Sequence, residues 1–550
     1  MNRLARYAVA GLVAAASLWV GGPTTTAQSS GQSAGQASPI GEITKPVAVG
    51  HVYQPTDAVV LPDGRLLVLE KQGVIKLFPT IVDQVPIRVL EMTQEVWSYK
   101  DFGAMALALS PTFETDQTLY MLYNRDALPR PQATSPEWGS PAVPDDICIN
   151  DIDPGCVIGA RLISMQLTPD NRIENVKTVL ESGPTSGWCF QFDGHGIGDL
   201  LFDTEGALLV SSGDGARSDP GDTGLKELTT GCGAHFGDEK ELEGGSLRAL
   251  DALTPSLYTS FNGTIIRIDP TTGDAWPTNV LVGGEQSSDD RIVAIGFRNP
   301  FRMALDTQGN TVFVGEVGAN RAEEVNAIDT TKFGSTVQNF QWPCLEGQQP
   351  SLFEDIASSP LCGATQAIPN SIGVAALTYA TLPAKWCGEM NIAVIGGDVF
   401  TRGDGSRWYV FDDWVGGCML ALPIAADRTL DVTKAVLIDQ AISPARIRNV
   451  EGNVMIVDVT RNVVRISPEP FLDPTPPSDG RLGRWTGRVI LALIVCGLLA
   501  VLLIRRRVKS NAQGRADRLK VGGVSADVTG DDSLSGTDQS NDPAESRIAD

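Results

Sequence analysis

The sequence contains little of what several common enzyme classes need. It has only 3 histidines in 550 residues, and it holds neither a phosphate loop ending in Gly-Lys-Ser/Thr nor a His-Glu-x-x-His motif. These absences exclude a P-loop nucleotide site and a zinc-protease helix, because both need those residues at a fixed spacing. The glycine-rich segment GHGIGD at 194–199 runs into the apolar LLFD and not into a helix, which excludes a dinucleotide-binding loop.

Positive charge is also scarce. The chain has 43 basic against 66 acidic residues, which gives a net charge of −23. A surface of this kind repels phosphate backbones, so we expect no nucleic-acid partner. Arginines that cluster inside the fold therefore need a local reason.

Long hydrophobic runs occur only at the two ends of the sequence. Near the start, Arg3 and Arg6 precede the apolar run Tyr7–Val20, and small residues follow around Ala27. This arrangement predicts a secretory signal peptide over 1–27, with an uncleaved N-terminal anchor as the alternative. In either case the chain downstream is expected to be exported.

The second hydrophobic run, Val489–Ile504, has sixteen residues without a charge, and Arg505, Arg506 and Arg507 follow it directly. A transmembrane helix needs roughly 17–25 residues, and flanking residues can extend a slightly short one. The basic triplet argues against a buried core helix and for a cytoplasmic flank. We therefore predict a single transmembrane helix over 487–504 that anchors the protein in the cell membrane. The residues before it should lie outside the cytoplasm, and residues 505–550 should form a disordered cytoplasmic tail.

The cysteine pattern agrees with export. Eight of the nine cysteines precede the predicted span, and none forms a Cys-x-x-Cys pair, so disulfides are favoured over zinc. Eight cysteines allow 105 connectivities. We predict that neighbours pair, since each bond then closes a single loop: Cys148–Cys156, Cys189–Cys232, Cys344–Cys362 and Cys387–Cys418.

One pattern recurs six times along the chain: a short apolar strand, a tight polar turn and a second strand. Such turns between β-branched runs are strong hairpin signals. The copies lie at 58–70, 105–124, 200–214, 303–316, 394–413 and 450–466. Six copies over about 420 residues leave about 70 residues for each unit, which suits a four-stranded blade with a long loop. The sequence thus predicts an all-β, six-bladed β-propeller over 40–467, with linkers at 28–39 and 468–484.

His195 is the histidine whose context is most suggestive. It lies in FDGHGIGDLLFD (192–203), where glycines let the backbone turn sharply just before an inner strand. In a propeller that position faces the central funnel. A structural histidine that is merely hydrogen-bonded is the alternative interpretation.

Two arginine-containing segments occupy similar positions in later repeats. Arg298 and Asn299 precede Pro300 just ahead of an inner strand, and as two donors in an acidic chain they suggest an anionic or carbonyl-rich ligand. An ion pair of Arg298 with Glu316 or Glu323 is the alternative. Further on, two arginines alternate in PARIRN (444–449) and should point to one face of their strand. They are Arg446 and Arg448.

These segments together resemble the glucose/sorbosone dehydrogenase family, the six-bladed propellers related to soluble quinoprotein glucose dehydrogenase, aldose sugar dehydrogenases and the Hedgehog-interacting protein. The resemblance covers roughly 50–466. His195, Gly198 and Leu200 match the family's His-x-x-Gly-x-Leu, whose histidine is a general base. AIGFRNPFRMALD matches the Gly-x-Arg-Asn-Pro segment, which implies that Arg298 and Asn299 contact pyrroloquinoline quinone.

The same resemblance implies a calcium site and further quinone contacts. GEVGANRAEEVNAI (315–328) is similar to the stretch whose main-chain carbonyls bind calcium, here Gly318 and Ala319. Arg446 and Arg448 resemble the Arg-x-Arg pair that grips the quinone carboxylates. NFQWPCLEG (339–347) and VIGGDVF (394–400) also fit the family pattern.

Three positions depart from the family pattern. Val415 stands where a lysine reaches the quinone in the glucose enzymes, Asp101 replaces a family glutamine, and Ala319 replaces a proline. The resemblance still implies a dehydrogenase that oxidises an aldose or related sugar, with His195 taking the hydroxyl proton and an unidentified electron acceptor. The alternative is a non-catalytic propeller that binds a glycan or a protein at the cell surface.

Overall fold

The computed structural model describes residues 47–467 except 82–84, 130–132, 138–155, 184, 192–193, 217–231, 233–244, 254–258, 281–288, 320, 351–355, 357–359, 366–370, 380–392 and 441–442. No helix within these residues is long and apolar enough to cross a membrane. The predicted signal peptide, both linkers, the transmembrane helix and the cytoplasmic tail lie outside the described residues.

Six antiparallel sheets follow one another along the chain, and we number them as blades I to VI. Strand β1 (Val47–Val49) belongs to the last blade. The first three blades contain these strands: in I, β2 (Pro55–Val60), β3 (Leu66–Glu70), β4 (Val74–Phe78) and β5 (Ile87–Glu91); in II, β6 (Ala104–Leu109), β7 (Thr118–Arg125), β8 (Gly159–Leu167) and β9 (Ile173–Glu181); in III, β11 (Ile197–Phe202), β12 (Leu208–Ser212), β14 (Thr264–Ile268) and β15 (Ile292–Ile295). The short strands β10 (Ser186–Gly187) and β13 (Thr259–Ser260) pair in parallel beside blade III.

The later blades repeat the plan. They contain these strands: in IV, β16 (Pro300–Asp306), β17 (Thr311–Glu316), β18 (Glu323–Asp329) and β22 (Val374–Tyr379); in V, β23 (Val394–Thr401), β24 (Arg407–Asp413), β25 (Cys418–Pro423) and β26 (Val436–Gln440); in VI, β27 (Pro444–Val450), β28 (Asn453–Asp458) and β29 (Val463–Ile466), with β1 outermost. Between them, β19 (Gln338–Asn339) joins β15 in parallel, and β20 (Leu345–Glu346) pairs with β21 (Gln349–Pro350).

Helix is scarce in the described residues. The helical segments are Phe113–Asp116 and Pro360–Thr365, together with the 3₁₀ turns Gly245–Leu253, Thr330–Lys332 and Val432–Lys434. The six-bladed β-propeller predicted from the sequence is therefore confirmed. The six predicted hairpins fall in six different blades, although the last, 450–466, covers β28 and β29 and leaves the innermost strand β27 just before it.

The hairpin turns follow from their local sequence. Between β2 and β3, Gly64 has φ of +86°, and the Asp63 carboxylate accepts a hydrogen bond from the main-chain N–H of Arg65 at 3.1 Å. A positive φ at that position costs glycine little, and aspartate side chains readily bond the backbone two residues on. The Asp-Gly pair thus closes the turn by itself.

The propeller closes by pairing the two ends of its described chain. Strand β1 runs antiparallel to β29, with Val47 opposite Ile466. Nearby, the main-chain N–H of Gln54 donates to the side chain of Asn462 at 2.6 Å. Blade VI therefore combines three strands from the end of the propeller sequence with one from its start, which closes the ring of blades.

Apolar side chains fill the spaces between neighbouring blades. Six hydrophobic clusters match the six interfaces of the ring. Between blades I and II, for example, Leu67 and Leu69 pack with Met121 and Ile163. The residues that alternate along each strand supply this packing, since successive side chains point to opposite faces of a sheet.

The innermost strands surround an axis that is filled by charged side chains. Strands β2, β6, β11, β16, β23 and β27 contact one another in a closed ring. Arg302 on β16 is fully buried, and its guanidinium donates to main-chain carbonyls in four other blades. These acceptors are Ala445 at 2.7 Å, Thr56 and Met105 at 2.9 Å, and Gly198 at 3.1 Å. One side chain thus ties blades I, II, III and VI to blade IV.

Two of the four predicted disulfides are confirmed. Cys189 bonds to Cys232 and Cys344 bonds to Cys362. Cys156 and Cys418 are also disulfide-bonded. Their predicted partners, Cys148 and Cys387, lie outside the described residues.

Candidate active site

His195 lies at the end of the axis where the innermost strands begin, which we call the upper end. It stands two residues before β11, has φ of +55° and is 4% exposed. A Cβ atom on Gly213 would lie 2.5 Å from the carbonyl oxygen of His195, so the loop after β12 can approach this closely only with glycine there. The glycines around His195 therefore allow a strained turn that holds the imidazole at the upper end of the axis.

Asp214 orients the His195 ring. The imidazole Nδ1 lies 2.7 Å from Oδ1 of Asp214, which is fully buried. The same Oδ1 accepts from the main-chain N–H of Ala216 at 2.9 Å, and Oδ2 accepts from the indole N–H of Trp342 at 2.8 Å. Because a carboxylate can only accept, the contact places a proton on Nδ1 and leaves the lone pair on Nε2. His195 is thus arranged to receive a proton through Nε2.

Arg298 contacts the same group of residues. Its carbonyl oxygen accepts from the main-chain N–H of Asp214 at 2.8 Å, and its guanidinium lies 5.8 Å from the centre of the Trp342 ring. The guanidinium also donates to the Val317 carbonyl at 3.1 Å. Burial lowers the pKa of Arg298 against the opposing effect of nearby carboxylates, first among them Asp214.

The ion pair considered as an alternative for Arg298 is not formed. Glu316 accepts instead from the main-chain N–H of Arg298 at 2.7 Å. Apart from the Val317 carbonyl, the described residues provide no hydrogen-bond partner for the Arg298 guanidinium, and they provide none for the Asn299 amide. Both side chains therefore retain donors for a ligand.

The predicted calcium-binding carbonyls lie in the turn after β17. The main-chain N–H groups of Ala319, Arg321 and Ala322 converge on one carboxylate oxygen of Glu346, at 2.7, 2.8 and 3.3 Å. A Cβ atom on Gly318 would lie 1.8 Å from the Ala322 carbonyl oxygen, so the turn needs glycine. No donor among the described residues reaches the carbonyl oxygens of Gly318 and Ala319.

Carboxylates are in excess around this turn. Burial, the largest cause, raises the pKa of Glu323 to about 7, although Glu323 accepts from the main-chain N–H of Val394 at 2.9 Å. Burial also raises the pKa of Glu324 to about 7 and that of Glu316 well above its usual range. The described residues contain no group of three or more His, Cys, Asp or Glu side chains arranged to hold a metal.

Arg446 and Arg448 contact a different set of residues. They belong to a set that we call the axial network, which consists of Asp57, Asp199, Arg302, Arg446 and Arg448. Arg446 bonds Asp199 directly and lies 3.7 Å from Asp57, while Arg448 donates twice to Asp57, at 3.0 and 2.8 Å. Burial raises the pKa of Asp57, but Arg448, Arg446 and Arg302 outweigh it and hold that pKa below its usual value.

Hydrogen bonds and ion pairs thus place the five predicted site side chains in two groups. His195 and Arg298 meet through Asp214, with Asn299 next to them. No hydrogen bond or ion pair among the described residues connects this group to Arg446 or Arg448. Arg446 and Arg448 find counter-charge within the chain, from Asp199 and Asp57. Their predicted contact with a cofactor stays a prediction.

Sequence reasoning missed the residues that position the others. Asp214 closes the third hairpin, LLFDTEGALLVSSGD, and Trp342 lies in NFQWPCLEG. The first segment is one of the six repeats and the second is a family motif, but no local sequence pattern indicates the role of either residue. Asn262 was missed as well; its amide donates to the carbonyls of Cys189 at 2.9 Å and Asp214 at 3.3 Å.

Two of the three departures from the family pattern, Val415 and Asp101, lie at exposed positions. Val415 is 40% exposed in the turn after β24, next to Trp414 at 41%. Asp101 is exposed in the segment before β6. The turn after β24 therefore presents an apolar surface where a lysine was expected.

Comparison with known proteins agrees with this fold. The family model described as Glucose / Sorbosone dehydrogenase matches residues 52–356. The chain is similar in structure to the PQQ-bound aldose sugar dehydrogenase of Streptomyces coelicolor, with 14% identity and a TM-score of 0.50 over 78% of this chain and 97% of that one. It is also similar to a putative glucose dehydrogenase of Thermus thermophilus, with 17% identity and a TM-score of 0.50 over 77% and 98%. No curated protein sequence matches the chain.

Proposed function

The chain belongs to the glucose/sorbosone dehydrogenase family, and we propose that it is a membrane-anchored, extracytoplasmic dehydrogenase that oxidises an aldose or related sugar. The observation that carries this proposal is the contact of His195 Nδ1 with buried Asp214 at 2.7 Å. It leaves Nε2 as a proton acceptor at the upper end of the axis. The proposed cofactors are pyrroloquinoline quinone and calcium.

The donors and acceptors at the upper end fit these cofactors. Arg298 and Asn299 retain unpaired donors, which suit the carboxylates and carbonyls of the quinone. The carbonyl oxygens of Gly318 and Ala319 accept no described hydrogen bond, and hard cations such as calcium prefer oxygen ligands. These four residues would hold the two cofactors. When bound, the quinone supplies a two-electron acceptor and calcium supplies a Lewis acid.

His195 provides the acid–base step. Oxidation of a sugar hydroxyl removes one proton from oxygen and one hydride from carbon. The Nε2 lone pair of His195 takes the proton, and Asp214 stabilises the imidazolium that forms. The indole N–H of Trp342 and the main-chain N–H of Ala216 in turn donate to the buried Asp214 carboxylate. The chain thus holds the proton at a defined atom while the hydride leaves the substrate carbon.

A titration of the purified protein with quinone and calcium tests the proposal. We expect a change in cofactor absorbance, followed by dye reduction with at least one sugar from a panel of aldoses. His195→Ala should lower turnover by about 10²- to 10⁴-fold, the usual worth of a general base, and should leave quinone binding largely intact. Absence of quinone binding at micromolar cofactor with calcium present would exclude the dehydrogenase.

A non-catalytic propeller that binds a glycan or a protein is the second candidate. One observation favours it: Arg446 and Arg448 already pair with Asp199 and Asp57 within the chain, so fewer cations remain for a tricarboxylate. In that case His195→Ala would change ligand binding, and no sugar would reduce a dye.

The proposed membrane arrangement has a separate test. Single cysteines at position 100 and at position 520 can be labelled in intact cells with a reagent that does not cross membranes. We expect labelling at 100 and none at 520, because the basic triplet after Ile504 favours the cytoplasmic side. Labelling at 520 from outside would contradict the arrangement.

A further inference from the structure

We infer that Trp342 is the positioning residue of the base: its indole N–H holds the Asp214 carboxylate in the orientation that keeps a proton on Nδ1 of His195. The inference rests on the proposed function, because it assigns the part of the site that determines which nitrogen of His195 can accept a proton.

The main chain around Trp342 is fixed independently of its side chain. The N–H of Trp342 donates to the carbonyl of Gly296 at 3.0 Å, and the N–H of Phe340 donates to Ile295 at 2.9 Å. The preceding strand β19 pairs with β15 of blade III. The Cys344–Cys362 disulfide anchors the segment two residues further on. The indole therefore extends from a rigid support.

The Asp214 carboxylate depends on this indole. Oδ1 is shared by His195 and the main-chain N–H of Ala216, whereas Trp342 is the partner of Oδ2 among the described residues. Asp214 is fully buried, so an unpaired Oδ2 would bear the desolvation penalty of a charged oxygen. Without the indole N–H, the carboxylate gains by rotating Oδ2 toward any remaining donor. Such a rotation removes Oδ1 from the line of the His195 Nδ1–H bond.

The same indole also faces Arg298. The guanidinium lies 5.8 Å from the ring centre, and a cation over an aromatic ring is attracted to its electron-rich face. Asp214 completes the connection, because its N–H donates to the Arg298 carbonyl at 2.8 Å. The indole N–H of Trp342 thus contacts Asp214, which orients the base, and the face of the ring lies toward Arg298. The proton acceptor and the donor offered to the ligand are held by one side chain.

The first test compares Trp342→Phe with the unchanged full-length chain. The change keeps an aromatic ring and removes the indole N–H. With only three histidines in the chain, ¹⁵N-labelled histidine gives a spectrum in which His195→Ala identifies the signals of that ring. We expect the Nδ1–H tautomer in the wild type and a shift toward the Nε2–H tautomer, or a mixture, in Trp342→Phe.

Turnover provides the second readout. We expect kcat for the best sugar to fall by about tenfold to a hundredfold in Trp342→Phe, the loss that corresponds to one hydrogen bond to a charged group. The sugar KM should change much less, because the indole does not serve as a sugar ligand in this assignment. Asp214→Asn should produce the larger loss of kcat and the same change of tautomer, since an amide can donate to Nδ1.

Trp408→Phe is the matched control. Trp408 is nearly buried in blade V, and its indole N–H donates to the Ser406 hydroxyl at 3.1 Å, away from the candidate site. The control should keep the wild-type tautomer and turnover. If Trp342→Phe does not fold, benzothienylalanine at position 342 replaces the N–H with sulfur at nearly constant shape and makes the same measurement.

The outcomes distinguish failure of the Trp342 positioning role from failure of the proposed dehydrogenase activity. A wild-type tautomer in both Trp342 variants would overturn the role of Trp342, whatever the activity. A shifted tautomer in a protein that oxidises no sugar would support the positioning role and reject the dehydrogenase. Equal loss of turnover in the Trp408 control would show that the effect is general loss of packing, and it would also overturn the inference.

Discussion

The axial network and the upper end of the axis both contain buried arginines and carboxylates, but the two regions differ in how completely these groups are paired. In the axial network, three arginines meet two aspartates, and Arg302 alone makes four hydrogen bonds to main-chain carbonyls. At the upper end, one buried arginine lies among several carboxylates, and both Arg298 and Asn299 keep free donors. Buried charges that pair within the chain stabilise the fold, whereas donors without such a partner are available to a ligand. In the axial network, Nε of Arg446 lacks a hydrogen-bond partner among the described residues. In the proposed function, the axial network stabilises the fold and the upper end binds the ligands and carries out the reaction.

The largest expected effect comes from Arg302. Arg302→Met removes four hydrogen bonds to four blades and leaves Asp57 and Asp199 with less positive charge. We expect a loss of about 5 kcal/mol in the free energy of unfolding, since breaking a buried ionic group typically costs 3–5 kcal/mol. Denaturant unfolding measures it. Arg428→Met, which breaks a partly exposed pair with Asp329, is the control and should cost about 1 kcal/mol or less. Equal costs would remove the contrast between axis and surface.

Arg446 separates the two interpretations of the Arg-x-Arg pair. Arg446→Met removes the direct ion pair of buried Asp199 and leaves it with Arg302 at 3.8 Å, so we expect the free energy of unfolding to fall by about 3–5 kcal/mol. The effect should be the same with and without quinone. A stable variant that has lost only quinone affinity would instead return Arg446 to the cofactor site that the family resemblance implies.

Arg298 should behave in the opposite way. Arg298→Met removes a guanidinium whose described side-chain hydrogen bond is to the Val317 carbonyl, so stability should change little. Quinone affinity should weaken by about 1.5–3 kcal/mol, the worth of a charged hydrogen bond. Calorimetric titration in the presence of calcium measures this loss. Arg291→Met, on the outer part of blade III beside Asp289, serves as a control that should keep quinone affinity.

The last comparison concerns the pH dependence of stability in the two regions. The pKa of Asp57 is held below its usual value, so its contribution to stability is complete above about pH 4 and is lost as the pH falls through the lower, folded-state value. The pKa of Glu323 is raised to about 7, so stability should instead fall as the pH rises from about 4.3, its unfolded value, toward 7. Each group changes the free energy of unfolding by at most about 1.4 kcal/mol per pH unit.

Two substitutions test this assignment in calcium-free buffer. Unfolding curves for Asp57→Asn should lose the decline below pH 4, while those for Glu323→Gln should lose the decline between pH 4.3 and 7. If the two variants keep the pH profile of the wild type, the carboxylates of the two regions do not differ as described.

Local sequence determined much of the fold. Each hairpin is specified within about fifteen residues by two apolar runs and a turn such as Asp63-Gly64, so six copies could be counted without knowing how they meet. The two disulfides seen, Cys189–Cys232 and Cys344–Cys362, join cysteines that are neighbours in sequence, and the sequence predicted both. His195 and Arg298 could be found because each lies within two residues of glycine or proline, just before an inner strand.

Only the tertiary structure decided which charges are satisfied. Arg448 and its partner Asp57 are 391 residues apart, and they meet because β1 and β29 close the ring and bring β27 beside β2. The same is true of Trp342 and Asp214, which are 128 residues apart and belong to segments with different patterns. Hydrophobic periodicity and turn chemistry act over a few residues, and they specify strands. Electrostatic pairing depends on distances across the axis, and those distances exist only after all six blades have closed.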